Sequence, residues 1–362
     1  MVTLEGRGLL AARVVCGLSA LSLLVWTFHG VNFAKVRESV AGVGALGLLL
    51  IAVPQLLSLF VECVGWGHVF ERLGQPVAMK PLLRVRLMTE AVAQTLPFGV
   101  IWSESLKPLL LGRHTGMPTS RAVAGIVTRK YLLMSSQAVY VALLSACGFA
   151  TLLRLSFAFT GHAGFAYAAF GISALLCLLA FAVGGAFARG RIGDRALALL
   201  STLGSARFQQ RLRQHQACFS DTDTLTERYF TASFARHTLR PGLFFLCAWL
   251  CESLESYLIL HLLGSPLDFF AVASVEVLLS FLKNVLFVLP AGIGIQDVGY
   301  VSCLSALGVP DALTVGAAFS ALKRGKELFW AATGYLLLAF EARPALAAAA
   351  TATAPQNEVL TA

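Results

Sequence analysis

Two apolar stretches of this chain are broken at their middle by the same signature, Leu-Pro-x-Gly, and the landmarks around each break recur in one order. The first copy reads Leu96-Pro97-Phe98-Gly99, then Glu104, Gly116-Met117-Pro118 and Arg129-Lys130. The second reads Leu289-Pro290-Ala291-Gly292, then Asp297, Gly308-Val309-Pro310 and Lys323-Arg324. Upstream, Glu62 matches Glu255, and Leu73-Gly74-Gln75-Pro76 matches Leu263-Gly264-Ser265-Pro266. Proline removes a backbone donor and clashes with the preceding turn, and glycine lets the chain reverse. The regions 81–112 and 268–308 are therefore expected to enter a membrane, break and return to the same side. Their turns are placed at Pro97 and Gly99, and at Pro290, Gly292 and Gly294. Non-helical backbone survives at membrane depth only where protein covers it or water reaches it, so the two re-entrant hairpins are expected to line a cavity.

Composition supplies the membrane. Apolar residues make up 57% of the chain and charged residues 13%, whereas a soluble domain carries about a quarter charged. Runs at 9–29, 41–64, 122–153, 163–188, 242–263 and 311–341 are long enough to cross a bilayer. The fold class read from this is an all-α polytopic membrane protein with six spans and two re-entrant hairpins. The net charge of +9 points to anionic lipid headgroups and not to nucleic acid, because the bases cluster between apolar spans. An apolar stretch to Thr27 follows Arg7 and Arg13 with no small-x-small cleavage site, so it reads as an uncleaved first span.

Loop charge orients the spans. Basic residues dominate 65–121 and 189–241, while 264–311 carries Asp268, Glu276, Asp297 and Asp311 against Lys283 alone. The first two belong in the cytoplasm and the third outside, with both termini cytoplasmic; Lys35 and Arg37 in the 30–40 loop dissent mildly. Each half then reads span, span, hairpin, span. An odd number of crossings inserts the second half upside down, a 3+3 inverted repeat. Residues 1–188 hold the first half and the span that begins the second at 163. Residues 189–241 form a cytoplasmic amphipathic basic loop, with Leu197, Leu199, Leu200, Leu203, Phe208 and Leu212 on its apolar face. Residues 242–342 complete the second half, and 343–362 form a disordered tail.

Charges inside apolar spans are costly and default to function. Glu104 and Asp297 read as ligands for a headgroup amine or carriers of a coupling proton; the alternative is a helix cap or a local pair such as Glu104 with Lys107. Arg129 and Arg324, with Lys130 and Lys323 beside them, read as a phosphate clamp, since guanidinium forks suit phosphate. The alternative pairs Arg324 with Glu327 and Arg129 with Glu104. Glu62, Glu252 and Glu255 lie on the second spans, with Lys283, Lys326 and Arg129 as candidate partners. Gly42-Val43-Gly44-Ala45-Leu46-Gly47 matches a dinucleotide fingerprint but sits inside a span with no strand before it, and reads as a helix-packing run. The eight cysteines read as free thiols in packing roles. The histidines show no metal-ligand spacing, no nucleophile with an adjacent base is visible, and no cofactor is called for.

Leu96 to Arg129, and Pro290-Ala291-Gly292-Ile293-Gly294 through Arg324 to Gly334, resemble the two halves of the lysylphosphatidylglycerol synthase transmembrane region, the flippase-like domain. The resemblance spans roughly 10–342. It implies a bacterial inner-membrane protein, either the lipid-flipping part of an aminoacyl-phosphatidylglycerol synthase or a stand-alone relative found with hopanoid or glycolipid biosynthesis. No aminoacyl-transferase domain follows, and Val100-Ile101-Trp102-Ser103 replaces the glycine-rich run of many relatives. The expected function is translocation of a polar-headgroup lipid. The rival readings are a membrane-embedded lipid-modifying enzyme and a non-transporting partner of a lipid-biosynthetic enzyme.

Overall fold

The computed structural model describes residues 28–96, 98–190, 216–231, 234–285 and 294–352, with the single positions 22, 25, 193, 195, 198 and 210; at 234–237, 281–285, 295 and 342–352 it describes the backbone alone. Most of the expected first span lies outside these residues. So do Pro97, Pro290, Gly292, the six apolar residues of the 189–241 loop and the Lys283 side chain. Among the described residues all regular structure is helical: α1 (Phe33–Arg72), α2 (Met79–Thr95), α3 (Gly99–Thr115), α4 (Thr119–Cys147), α5 (Phe149–Thr160), α6 (Gly164–Ala188), α7 (Gln216–Thr231), α8 (Phe234–Leu262), α9 (Phe269–Val285), α10 (Ile295–Ala306) and α11 (Ala312–Ala352). Three of these, α1, α6 and α8, are long and apolar enough to cross a membrane, and a fourth if α4 and α5 count as one broken span. Their outer faces bear exposed Leu46, Leu49, Leu178 and Phe181, which suit lipid rather than water.

The repeated landmarks become repeated geometry. Gly74 ends α1 at φ 75° and Gly264 ends α8 at φ 77°. In both caps the residue after the glycine reaches back five positions, Gln75 N to Phe70 O and Ser265 N to Leu260 O, each at 3.0 Å. Only glycine adopts this left-handed cap at no steric cost. Counting back twelve residues from the cap glycines pairs Glu62 with Glu252, not with Glu255. That corrects the sequence alignment by almost one helical turn.

In the first hairpin α2 packs along α3. Its turn works differently from expectation, because Phe98 takes the left-handed backbone at φ 55°. Gly99 is needed for closeness instead: a Cβ there would lie 2.3 Å from the Ala93 carbonyl oxygen and 2.6 Å from that of Val92. In the second hairpin α9 packs on α10, and Gly294, at φ 87°, leads into α10.

Three expectations shift. The span set at 122–153 stops at Cys147, where the chain bends by 83° into α5. The corner is tight: a Cβ on Gly148 would sit 1.8 Å from Ser274 Oγ of α9. Next, α11 continues to Ala352, so the boundaries at 341 and 343 fall inside a helix. Finally, Gly44 breaks α1 at φ 64°, ψ 177°, so the glycine run holds a kink as well as a packing position, since Gly47 is buried and a Cβ on it would lie 3.5 Å from Leu262 of α8. Within the 189–241 loop, α7 docks on α4 and α6. There Phe230 meets the Tyr131 ring edge-on at 4.9 Å and stacks on Phe187 at 5.3 Å. The seven described cysteines are all free thiols.

Two large apolar cores result, with a smaller third cluster of Tyr140, Val141, Leu144, Ala273 and Val277. One holds Cys63, Trp66, Phe70, Met88, Leu111 and Tyr131, the other Val43, Ile51, Ile259, Val272, Tyr300 and Phe319. Helix α1 runs from the second core to the first. Helix α8 runs the other way, from Phe245 in the first to Ile259 in the second. These antiparallel helices share the most extensive packing in the molecule, and α11 covers α2 much as α4 covers α9. The polar positions of α1 and α8 fall between the cores. Gly148→Ala should overpack the α4–α5 corner and cost about 1–3 kcal/mol, read as a lower melting temperature in detergent. Gly171→Ala, with open space at its Cβ, should melt like the parent.

Candidate functional site

Several helices around a central gap carry polar stripes at helical spacing. Helix α1 gives Gln55, Ser58 and Glu62; α2 gives Arg86, Glu90 and Gln94; α8 gives Glu252 and Glu255; α9 gives Glu276 and Ser280; and α11 gives Lys323, Lys326 and Glu327. Residues three or four apart share a helix face, so these stripes converge. With Gln137 of α4 and Gln296 of α10 they line a cavity of about 140 Å³. The first limbs of both hairpins, α2 and α9, line it.

Ion pairs fix the walls. The Glu62 carboxylate, buried on α1, accepts from Arg86 Nε of α2 at 2.9 Å and from Arg129 Nη2 of α4. Arg86 also pairs with Glu90 one turn on, and Gln94 Nε2 donates to Glu90 at 2.9 Å. On the opposite wall Lys326 Nζ donates to Glu255 at 2.5 Å and to Gln55 at 2.9 Å, joining α11, α8 and α1. Lys323 Nζ donates to Glu276 at 2.9 Å and to Ser256 at 3.2 Å. It lies 5.3 Å and 5.4 Å from the Tyr300 and Phe319 ring centres. Ser256 and Tyr300 hydroxyls also donate to Glu276 Oε1.

The sequence-derived candidates divide. Glu62, Glu255 and Lys323 line the cavity. Arg129 stands behind its wall, 2% exposed, held by Glu62 and lying over Trp66 at 5.0 Å. Glu104 does not reach the cavity. Its Oε1 takes Lys107 Nζ at 2.8 Å, with Lys130 and Arg129 at 3.8 and 4.0 Å. Asp297 caps α10 by accepting the Gly294 N–H at 3.0 Å and also receives Arg324 at 3.2 Å. Arg324 in turn holds Glu327 at 2.7 Å. Arg129 and Arg324 are thus committed to carboxylates, the pairing alternative, and do not form one clamp.

Sequence reasoning missed Gln55, Ser58, Arg86, Glu90, Gln94, Glu276, Gln296, Lys326 and Glu327 as a lining. Arg86, Glu90 and Glu276 were counted as loop charges that orient the chain. Their four-residue spacing to Glu90, Gln94 and Ser280 was the signal that could have placed them on helix faces.

The charge is unevenly shared. Around the first hairpin Glu62, Glu90 and Glu104 meet four bases, Arg86, Lys107, Arg129 and Lys130. Around the second, five carboxylates (Glu252, Glu255, Glu276, Asp297 and Glu327) meet three described bases, Lys323, Arg324 and Lys326. The arrangement can bind a polar ligand bearing both an anion and hydrogen-bond donors. Among the described residues no group of carboxylates, histidines or cysteines converges to hold a metal ion.

Removing one partner of a buried pair leaves an uncompensated charge and costs about 3–5 kcal/mol. Arg129→Met should therefore destabilise the protein by about that much, measured by thermal or denaturant melting in micelles. Lys130→Met should cost under about 1 kcal/mol, because Lys130 is 41% exposed.

The model of the family described as lysylphosphatidylglycerol synthase TM region matches residues 9–321. No curated protein matches the chain.

Proposed function

Because the chain belongs to the family of the lysylphosphatidylglycerol synthase TM region, a membrane protein family with a lipid-related role, we propose that it is a flippase-like lipid translocator. It moves a polar-headgroup lipid, of phospholipid, glycolipid or hopanoid type, between leaflets of a bacterial inner membrane. Six crossings with both termini cytoplasmic would set the hairpins α2–α3 and α9–α10 against each other from opposite faces, as an inverted repeat does. The antiparallel course of α1 and α8 and their identical caps support that reading.

The observation that carries the proposal is the charged cavity between the hairpins, inside a bundle whose outer faces are apolar. At about 140 Å³ it holds about five waters, at roughly 30 Å³ each. Rocking of the halves would open it to one leaflet at a time while acyl chains stay in lipid. Inside, Arg86, Lys323 and Lys326 are the bases that reach the cavity. They take the phosphate role expected of Arg129 and Arg324, and the carboxylates and Gln side chains meet headgroup hydroxyls or amines. Translocation then exchanges protein–protein ion pairs for protein–headgroup pairs of similar strength, which keeps the barrier low.

Purified protein in proteoliposomes should move fluorescent phospholipids between leaflets, read by an impermeant reductant. Lys323→Met and Lys326→Met should each slow exchange at least tenfold, about 1.4 kcal/mol on the barrier. Exchange no faster than in protein-free vesicles would overturn the proposal. For topology, single cysteines in a cysteine-free background should react with an impermeant maleimide from outside at Lys35 and only from the cytoplasm at Arg189. Labelling of both from one side would exclude an odd number of crossings between them.

A further inference from the structure

Neutral side chains on the cavity wall present acceptors that no described residue satisfies. Gln94 of α2 uses its Nε2 on Glu90 at 2.9 Å, and its buried Oε1 receives no hydrogen bond from a described residue. Gln296 of α10, 5% exposed, has an equally unmatched Oε1. Ser58 donates its hydroxyl to the Ala248 carbonyl at 3.3 Å and Ser280 donates to that of Val277 at 2.9 Å, so each turns only an acceptor oxygen to a ligand. Buried acceptors without donors are costly, and a wall of them calls for a ligand that brings donors. The nearby carboxylates are already engaged: Glu62 with Arg86 and Arg129, Glu255 with Lys326, Glu276 with Lys323 and Glu327 with Arg324. An arriving ammonium would have to displace one of these cations, and Arg86, Lys323 and Lys326 would repel it. A hydroxyl avoids both costs, since it donates to an amide or serine oxygen while its own oxygen accepts from a lysine. Trp249 of α8 adds an apolar wall. Its Nε1 donates to Leu133 O at 3.2 Å, so what it offers the cavity is aromatic surface.

We propose that the cavity is a site for a polyhydroxylated ring, a sugar or cyclitol, so that the lipid moved carries such a ring and not an amine headgroup. The inference rests on the translocator reading and narrows it. Gln94 belongs to the first limb of one hairpin and Gln296 to the second limb of the other, so separate hydroxyls of one ring are held from both hairpins at once. A headgroup with a single donor satisfies one of these oxygens, whereas a ring with several hydroxyls satisfies both. Its C–H face lies against Trp249, whose electron-rich ring face attracts polarised C–H groups. Arg86, Lys323 and Lys326 donate to the remaining ring oxygens, or to a phosphate that links the ring to its lipid. Selectivity follows from the same oxygens. A headgroup without hydroxyls leaves them buried and unpaired, which is how a site built to bind hydroxyls rejects an analogue that lacks them.

The test uses the full chain. In proteoliposomes, leaflet exchange of fluorescent glucosyl-diacylglycerol, phosphatidylinositol and phosphatidylethanolamine is read with an impermeant reductant. In micelles, native mass spectrometry compares retention of the same lipids and of free glucose and inositol. Both ring lipids should exchange about tenfold faster than phosphatidylethanolamine, the scale of one or two hydrogen bonds, and should displace it from the protein. Gln296→Leu should erase that preference by slowing the ring lipids while phosphatidylethanolamine keeps its rate, a pattern that general loss of structure does not produce. Gln94→Leu gives the same readout from the other hairpin if Gln296→Leu does not fold. Phosphatidylethanolamine exchanging or binding as well as the ring lipids in the parent protein, or a folded Gln296→Leu that keeps the preference, would overturn the ring site and leave the translocator intact. Retention of the free rings alone would assign the cavity to a soluble polyol and overturn the lipid headgroup. Preferred binding of the ring lipids without exchange of any lipid would instead overturn the translocator reading and keep the ring site.

Discussion

The buried carboxylate of Glu62 organises the middle of the molecule. It receives Arg86 from α2 and Arg129 from α4, so one side chain ties a long span to a hairpin limb and to the span that follows the hairpin. An isolated charge in an apolar bundle costs several kcal/mol, and a paired one roughly breaks even. The three helices cannot separate without exposing at least one unpaired charge. Lys326 does the same on the far wall for α1, α8 and α11. Apolar packing above and below, in two separate cores, has no such directional demand. It supplies cohesion while the charged layer supplies register.

That division explains why the cavity lies where it does. Methyl groups and rings fill space to near crystal density, but a layer of glutamates, glutamines and lysines cannot collapse without leaving atoms unsatisfied. The polar stripes therefore meet with a gap between them. The same logic places the glycines. Gly99 and Gly148 sit where one backbone presses on another, and the left-handed caps at Gly74 and Gly264 turn the chain from a span into a hairpin at equivalent points.

The broad architecture was legible in the sequence because helix breakers and apolar runs act locally. Leu-Pro-x-Gly marked the reversal after Thr95, and the Leu-Gly-x-Pro pairs marked two alike caps. What stayed hidden depends on contacts between distant segments. Arg129 and Lys326 could be named as partners for the buried glutamates, and a helix cap as a role for Asp297, but nothing local decides which of the offered pairings forms. The bend at Gly148 was unreadable for the same reason: the close contact that needs a glycine there is with Ser274, on another helix. Glu276 was seen as a charge but not as a junction, since its partners come from α8, α10 and α11.

The 83° corner after α4 has no counterpart in α11, which runs on unbroken. In a molecule of two alike halves, swapping their conformations turns an inward-facing shape into an outward-facing one of equal energy. A corner present on one side only removes that degeneracy. On the proposed translocator reading, the corner gives the protein a preferred resting face, lower in energy than its opposite because of one local packing contact.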